Sequence, residues 1–223
     1  MLFDAVIFDM DGVLVDSEAC WMESRVEFAA SLGKVWTLDD QHAVMGRNTV
    51  EWAAGMRERL ALGAMPLDEI IEPVRGGVIR RLEARLPLLP GALEAVQTAA
   101  SRYPVALASG SPSLVIDTVM RLSGLERVFN VRVYGDDIPH GKPAPDIYFE
   151  AARQLGARPS RCIGIEDSAN GLRALHAAGM AAIAVPSPGF GLPPDVLALA
   201  DRVLPSLEFF SLALLRGFGR CEG

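Results

Sequence analysis

Two aspartates stand two positions apart where an apolar stretch of the chain ends. The stretch covers residues 5–8, and Asp9, Asp11 and Gly12 follow it closely. Alternation along a strand sends both carboxylates to the same side, where they repel one another unless a cation compensates. Mg²⁺ prefers oxygen ligands and supplies that compensation. The spacing therefore indicates either a simple acidic turn or a metal-bound carboxylate pair that does chemistry.

Three other short segments place polar residues beside apolar runs. LASGSP contains Ser109 and Gly110, whose hydroxyl and backbone N–H groups favour an anion at a helix start. HGKPAPD contains Lys142, a compact cation suited to a phosphate oxygen. In GIEDSANG, Glu166 and Asp167 follow an apolar run. Alone, each segment is more typical of an ordinary turn, loop or helix cap than of a binding site.

The four segments together predict more than any one of them does. In a parallel sheet, ligands bind beyond the carboxyl ends of the strands. Carboxylates at that edge bind a metal, and a metal together with a hydroxyl and a lysine binds an anion. One acid is left over to attack the bound group. The combination therefore predicts a phosphate site that contains a nucleophilic carboxylate.

Six short runs predict the strands of such a sheet. They are apolar throughout, which is typical of strands buried on both faces of a parallel sheet. The runs cover residues 5–8, 105–108, 131–134, 162–165, 181–185 and 202–204. Helical segments lie between them, and for one helix Ser111 and Pro112 predict the N-cap and first residue and Gly124 the end. This alternation predicts an α/β fold with a doubly wound, mostly parallel sheet.

A helical region interrupts the alternation after the first strand. Met22 and Val26 predict part of the apolar face of its first helix, and Pro73 should kink or split a later one. Convincing strand patterns return only after a proline-containing linker. We therefore predict an all-α cap domain inserted into a core domain, with the cap at residues 17–86 and the core at residues 1–16 and 87–223.

Composition excludes two kinds of partner. The net charge is −7 and the 21 basic residues are scattered, so nucleic acid is not an expected ligand. No apolar run reaches the roughly 18 residues that cross a bilayer, so we expect no membrane association. The three cysteines lie far apart without a metal-binding spacing. They predict free thiols and a cytoplasmic location.

The four segments resemble, in order, the four motifs of the haloacid dehalogenase (HAD) superfamily. DMDGVLVDSE is similar to its first motif, ASGSP to its second, GKPAPDIY to its third and GIEDSANG to its fourth. The resemblance covers nearly the whole chain. It indicates the branch with a helical cap after the first strand, which contains sugar-phosphate phosphatases and β-phosphoglucomutase, and it implies a Rossmann-like core.

The resemblance implies phosphoryl transfer through a covalent aspartyl phosphate, with Mg²⁺ as cofactor and a small phosphorylated metabolite as substrate. Asp9 would be the nucleophile and a metal ligand. Asp11 would act as general acid and then general base, while its backbone carbonyl holds the metal. Asp167 would bind the metal, with Glu166 beside it or acting through water.

The resemblance also assigns binding residues. The phosphoryl oxygens would be held by Ser109, Gly110 and Lys142. Three cap residues are candidates for contact with the rest of the substrate, namely Glu18, Trp21 and Arg47. For Arg47 the alternative is an exposed arginine at a helix start, and for Trp21 it is packing inside the cap.

Other members of the superfamily fit the motifs less well. The dehalogenases lack the second acid, which is Asp11 here. A phosphonatase would need a cap lysine for a Schiff base, and the one cap lysine, Lys34, follows Gly33 in a predicted loop. β-Phosphoglucomutase is the serious rival, but Trp21 occupies the position of its cap histidine. We therefore favour a sugar-phosphate phosphatase over the mutase.

A hypothesis from another class is a noncatalytic protein that binds a phosphorylated ligand. Binding alone would not need Asp11, so the filled catalytic positions favour an enzyme. The oligomeric state stays open between a monomer and a weak homo-oligomer.

Overall fold

In the part of the chain that the structure describes, six parallel strands form the central sheet. The computed structural model describes residues 3–45, 47–187 and 191–218. Within them the strands are β1 Ala5–Phe8, β2 Val105–Ser109, β3 Val131–Tyr134, β4 Cys162–Glu166, β5 Ala181–Ala184 and β6 Arg202–Val203. Their order in the sheet is β3-β2-β1-β4-β5-β6, and every neighbouring pair is parallel. The predicted doubly wound α/β fold is confirmed.

Strand β1 lies inside the sheet, between β2 and β4. All of its residues are apolar, which suits this position, and all are buried. Phe8 pairs with Leu107 of β2 on one side and with Ile165 of β4 on the other. The three strands therefore end at nearly the same level. Whatever follows each of them along the chain arrives at one edge of the sheet.

Helices cover the two faces of the sheet. They are α5 Ala92–Ala100, α6 Ser113–Ser123, α7 Asp146–Gln154, α8 Ala169–Ala177, α9 Pro194–Leu197 and α10 Leu212–Arg216. The predicted start of α6 is wrong by one residue, because Pro112 is the N-cap and the Ser111 side chain bonds elsewhere. The predicted end is confirmed, since Gly124 adopts a left-handed conformation with φ of +73°.

Among the described residues, four helices lie between β1 and α5 in the chain. They are α1 Glu18–Ser31, α2 Leu38–Val44, α3 Thr49–Arg59 and α4 Asp68–Ala84. Of the predicted kink or split at Pro73, the split is wrong, because α4 continues through this residue. The lost backbone hydrogen bond is offset by packing, since Ile70, Val74 and Val78 are buried along the helix.

The apolar face predicted for α1 is also wrong in part. Val26 is 39% exposed, whereas Arg25 is only 4% exposed. The buried side of α1 contains Trp21, Phe28 and Ala29. A charged residue therefore occupies a position on the buried face of the helix, four residues after Trp21 and three before Phe28.

Helix α3 touches the sheet-bearing part of the molecule through its first turn. The Thr49 hydroxyl donates to Asp136 Oδ1, and Asp136 Oδ2 accepts from the backbone N–H of Ser113 at 2.8 Å. Glu51 Oε1 accepts from the backbone N–H of Gly141 at 3.4 Å. These contacts place α3 directly above the loops that follow β2 and β3.

Among the described residues, no helix combines the length and the apolar character needed to cross a membrane. Cys20 and Cys162 are free thiols, and Cys221 lies outside the described residues.

Candidate active site

The ends of β1, β2 and β4 bring three of the predicted segments together. Asp9 follows β1 directly, and its backbone N–H donates to the Ile165 carbonyl of β4 at 3.0 Å. Ser109 is the last residue of β2, and Glu166 is the last residue of β4. All three are buried. The convergence expected from a parallel sheet is thus present at this edge.

Lys142 reaches the same edge from the loop before α7. Its Nζ donates to Asp9 Oδ1 at 2.9 Å, to Glu166 Oε1 at 2.6 Å and to the Ala108 carbonyl at 3.3 Å. Burial alone would lower the pKa of this ammonium group, but the carboxylates of Asp9 and Glu166 outweigh burial and raise the pKa above its usual value. Lys142 is therefore a fixed positive charge directed at Asp9.

Glu166 is fully buried and its oxygens are already engaged. Oε1 accepts from Lys142 and from the Tyr148 hydroxyl at 2.5 Å. Oε2 accepts from the Ser168 hydroxyl and from the backbone N–H of Asp167, both at 3.1 Å. These bonds fix the position of Glu166 beneath the site, so its clearest structural effect is to hold Lys142 in place.

Three carboxylates form a cluster that is suited to a cation. Oxygens of Asp9, Glu166 and Asp167 lie within 4.8 Å of one another. Burial, followed by the charge of Glu166, raises the pKa of Asp9 to about 8 in spite of Lys142. Burial and the same neighbour raise the pKa of Asp167 well above its usual value. An all-oxygen donor set under such repulsion fits Mg²⁺.

Ser187 fixes one member of this cluster. Its hydroxyl lies 2.8 Å from Asp167 Oδ2 and 3.1 Å from the Gly12 carbonyl. Gly12 has a φ of +77°, and a Cβ at this position would lie 1.9 Å from Asp167 Oδ2. Only glycine therefore allows the turn after Asp11 to approach the second acidic motif so closely.

The side chain of Asp11 lies outside the three-carboxylate cluster. Its Oδ2 accepts from the hydroxyls of Ser109 at 3.0 Å and Ser111 at 2.7 Å. Its Oδ1 accepts from Ser17 and from Trp21 Nε1, the latter at 3.3 Å. The Asp11 carboxyl therefore links the end of β2 to the first inserted helix.

A cavity of about 250 Å³ opens above these residues. Asp9, Asp11, Lys142 and Asp167 lie at its base, and it extends toward the inserted helices. All three predicted cap residues line it, namely Glu18, Trp21 and Arg47. Of the residues predicted to hold phosphate, Gly110 lines the cavity too. Ser109 is fully enclosed and contacts Asp11 and the backbone N–H of Ser111.

The sequence-based prediction missed several residues of the site. Ser111 and Ser187 both line the cavity, and Tyr148 bonds Glu166 beneath it. Ser111 belongs to the ASGSP segment, so the signal was present but assigned to a helix cap. Ser187 follows the end of β5, which is the same strand-end signal that marked the other motifs. Arg25 and Trp52 also line the cavity, and no motif marked them.

Comparison with known proteins places the chain in a family. The model of the haloacid dehalogenase-like hydrolases matches residues 3–179. Hexitol phosphatase B of Escherichia coli (strain K12) is 35% identical over 213 residues, covering 91% of this chain and 92% of that protein. The phosphorylated carbohydrates phosphatase of Thermotoga maritima is 34% identical, covering 79% and 82%. The chain belongs to the haloacid dehalogenase-like hydrolases, which confirms both the resemblance and the predicted enzyme class.

Among solved structures, β-phosphoglucomutase from Clostridium difficile is similar over 96% of both chains. The TM-score is 0.84 and the sequence identity is 21%. At that identity the similarity establishes the fold and leaves the reaction to other arguments.

Proposed function

We propose that the protein is a Mg²⁺-dependent phosphatase that hydrolyses a small phosphate monoester, namely a sugar or polyol phosphate, through an aspartyl phosphate on Asp9. The observation that carries the proposal is the position of the Lys142 ammonium group, 2.9 Å from Asp9 at the base of an open cavity. A carboxylate approaches a phosphate dianion only when positive charge cancels their repulsion. Relatives named as sugar-type phosphatases support the substrate class.

In the first step, an Asp9 carboxylate oxygen attacks the phosphorus and forms a P–O bond. The bond between phosphorus and the ester oxygen breaks, and Asp11 gives its proton to the departing alkoxide. For this transfer the Asp11 carboxyl must exchange its present serine and tryptophan partners for the ester oxygen. Two easier displacements thereby replace one difficult one.

In the second step, water attacks the phosphorus of the aspartyl phosphate. Asp11, now ionised, takes a proton from that water, and the bond between phosphorus and the Asp9 oxygen breaks. Inorganic phosphate leaves, and both aspartates return to their starting protonation states. Acid and base roles thus alternate on one side chain.

The remaining residues bind and orient the phosphoryl group. Mg²⁺ would be held by Asp9, Asp167 and the Asp11 backbone carbonyl, and it supplies charge compensation for the phosphoryl oxygens. Lys142 and the groups of the second motif would contact those oxygens as well. Glu166 acts as a positioning residue for Lys142, because its own oxygens are occupied by donors from the chain.

The test is a phosphate-release assay over a panel of sugar and polyol phosphates, with Mg²⁺ and with a chelator. We expect release that depends on the cation and is lowered at least about a thousandfold by Asp9→Asn. Asp117→Asn is the control, since Asp117 is half-exposed in an ion pair with Arg132. Turnover retained by Asp9→Asn would contradict the proposal.

The same panel decides between phosphatase and mutase. It includes β-glucose 1-phosphate together with a glucose bisphosphate activator. Glucose 6-phosphate formed without phosphate release would identify the mutase alternative. We further propose a cytoplasmic location, which the free thiols of Cys20 and Cys162 support.

A further inference from the structure

Arg25 is a buried cation in the wall of the cavity. It lies on α1 with 4% of its surface exposed. Its guanidinium carbon is 4.9 Å from the ring centroid of Trp21 and 5.4 Å from that of Trp52. All three side chains line the cavity above the carboxylate cluster. The two aromatic rings stabilise the cation through their faces, but they accept no directed hydrogen bond at a defined position.

The guanidinium of Arg25 has donors without acceptors. Within the described residues it makes no ion pair and donates no hydrogen bond, and its Nε is fully enclosed without a partner. The other enclosed side-chain donor without a partner in this part of the chain is Trp52 Nε1, in the same trio. Unpaired buried donors cost stability. The two Nη groups of Arg25 also donate no hydrogen bond within the described residues but are not fully enclosed, so they can donate to a ligand in the cavity that supplies acceptors.

The same wall also offers an acceptor. Glu18 lies on α1 with Arg25, and its Oε2 accepts from Gln41 Nε2 at 3.2 Å. Burial, followed by the charge of Asp11, raises the pKa of Glu18, so further negative charge in this region is unfavourable. Glu18 and Asp11 in turn are the charges that oppose the effect of burial on the pKa of Arg25.

These features select one chemical class. A carbon chain with several hydroxyls offers acceptors to Arg25, donors to Glu18 and C–H faces to the two tryptophans. An end that carries a carboxylate or second phosphate would satisfy Arg25 but would be repelled by Glu18 and Asp11. A plain alkyl chain would leave both charged side chains without partners.

We propose that Arg25, framed by Trp21 and Trp52, is the specificity residue that binds the hydroxyl-bearing, uncharged end of a polyol or sugar phosphate. The inference deepens and rests on the proposed phosphatase function, because it assigns the part of the substrate that the phosphoryl site does not touch. Arg25 donates to substrate hydroxyl oxygens, and Glu18 accepts from a neighbouring hydroxyl.

The test compares three esters of equal carbon number: a hexitol phosphate, n-hexyl phosphate and a phosphorylated sugar acid. Arg25→Met keeps side-chain length and removes the donors. We expect the ratio of kcat/KM for hexitol phosphate over hexyl phosphate to fall by about ten- to a hundredfold in this variant, as for loss of a hydrogen bond to a charged group. The Tm should stay unchanged or rise, since a buried unpaired donor is removed.

The matched control is Arg80→Met, because Arg80 lies on α4 with a side chain that is 65% exposed. Its ester ratio should equal that of the unchanged protein. The inference is overturned if Arg25→Met lowers kcat/KM equally for hexitol and hexyl phosphate. It is also overturned if the unchanged protein prefers the sugar-acid phosphate over the hexitol phosphate.

Failure of the proposed function has a different signature. If the protein is not a phosphatase, no ester in the panel will release phosphate. The inference is then decided by calorimetric binding of hexitol phosphate and hexyl phosphate, with and without Arg25→Met. Loss of the preference for hexitol phosphate in the variant would support the role of Arg25, and an unchanged preference would overturn it.

Discussion

Two ion pairs of equal length show how burial decides what a carboxylate contributes. Glu166 lies 2.6 Å from Lys142, and Glu150 lies 2.6 Å from Arg153. The first pair is enclosed, whereas Arg153 is 72% exposed. Water screens the exposed pair and competes for its charges, but it has almost no access to the buried one, in which the Lys142 side chain is 3% exposed and that of Glu166 is fully buried.

We expect Glu166→Gln to lower the free energy of unfolding by about 2 kcal/mol, because Lys142 loses a buried charge partner while it keeps Asp9. Activity should fall as well, since Lys142 is no longer fixed. Glu150→Gln removes a carboxylate at the same distance from its cation and should change neither property measurably. Urea denaturation of the two variants checks this, and equal effects would contradict it.

At the residue scale, the sequence predicted which side chains meet but not all of their partners. Strand-end motifs place Asp9, Glu166 and Lys142 together because parallel strands end at one edge. That rule does not say that Glu166 would be saturated by Lys142 and Tyr148. Nor does the sequence predict that the arginine at position 25 is buried, because its environment is built by tryptophans from two separate helices.

At the scale of elements, a glycine on α8 sets how closely this helix approaches β4. A Cβ at Gly171 would lie 1.9 Å from Glu166 Oε1. Gly76 on α4 is also helical, but a Cβ there meets nothing nearer than Arg80 Nη1 at 3.6 Å. One glycine is therefore required by packing, and the other only weakens its helix.

We predict opposite effects for the same substitution at these two positions. Gly171→Ala should lower the free energy of unfolding by about 1–3 kcal/mol, because α8 or Glu166 must move. Gly76→Ala should raise it by roughly 0.5–1 kcal/mol through helix propensity alone. Thermal and urea unfolding measure both. An unchanged free energy of unfolding in Gly171→Ala would mean that α8 does not pack closely against Glu166.

Elements were predictable where one local signal decides them. The strands lie within about one residue of their predicted ends, since apolar runs buried on both faces have sharp limits. The start of α6 and the continuity of α4 were not predictable. In both cases a proline has two permitted roles, and tertiary contacts choose between them.

At the scale of the whole molecule, the carboxylate cluster links stability to pH. The folded-state pKa of Asp9 is raised from 3.8 to about 8, and that of Asp167 is raised too. Between pH 3.8 and about pH 8, the folded protein therefore binds more protons than the unfolded chain. The free energy of unfolding therefore falls as pH rises from about 4 to about 8 in the absence of a cation.

Asp9→Asn removes the Asp9 part of this dependence. In chelator, its stability relative to the unchanged protein should improve by roughly 3 kcal/mol between pH 5.5 and pH 8. Millimolar Mg²⁺ should shrink that difference, since the cation stabilises the ionised Asp9. Urea titrations at several pH values measure it. If the difference in the free energy of unfolding between the two proteins did not depend on pH, the pKa of Asp9 would not be raised in the folded state.

The division into a core at residues 1–16 and 87–223 and a cap at residues 17–86 stays a prediction, as do the individual residue roles. The sequence could place the inserted helices in the chain but could not say how they meet the sheet. That geometry depends on contacts between residues far apart in the chain, such as Thr49 with Asp136.

The hydrogen bond between Thr49 and Asp136 has a consequence for the wall of the cavity. Thr49 and Trp52 are one turn apart on α3. Thr49 bonds the segment that follows β3, and the Trp52 ring lies beside Arg25, so both contacts depend on the position of the same helix. Any displacement of α3 from that segment would therefore also displace the Trp52 ring relative to Arg25. The hydrogen bond between Thr49 and Asp136 thereby ties the position of Trp52 in the cavity wall to the segment that follows β3.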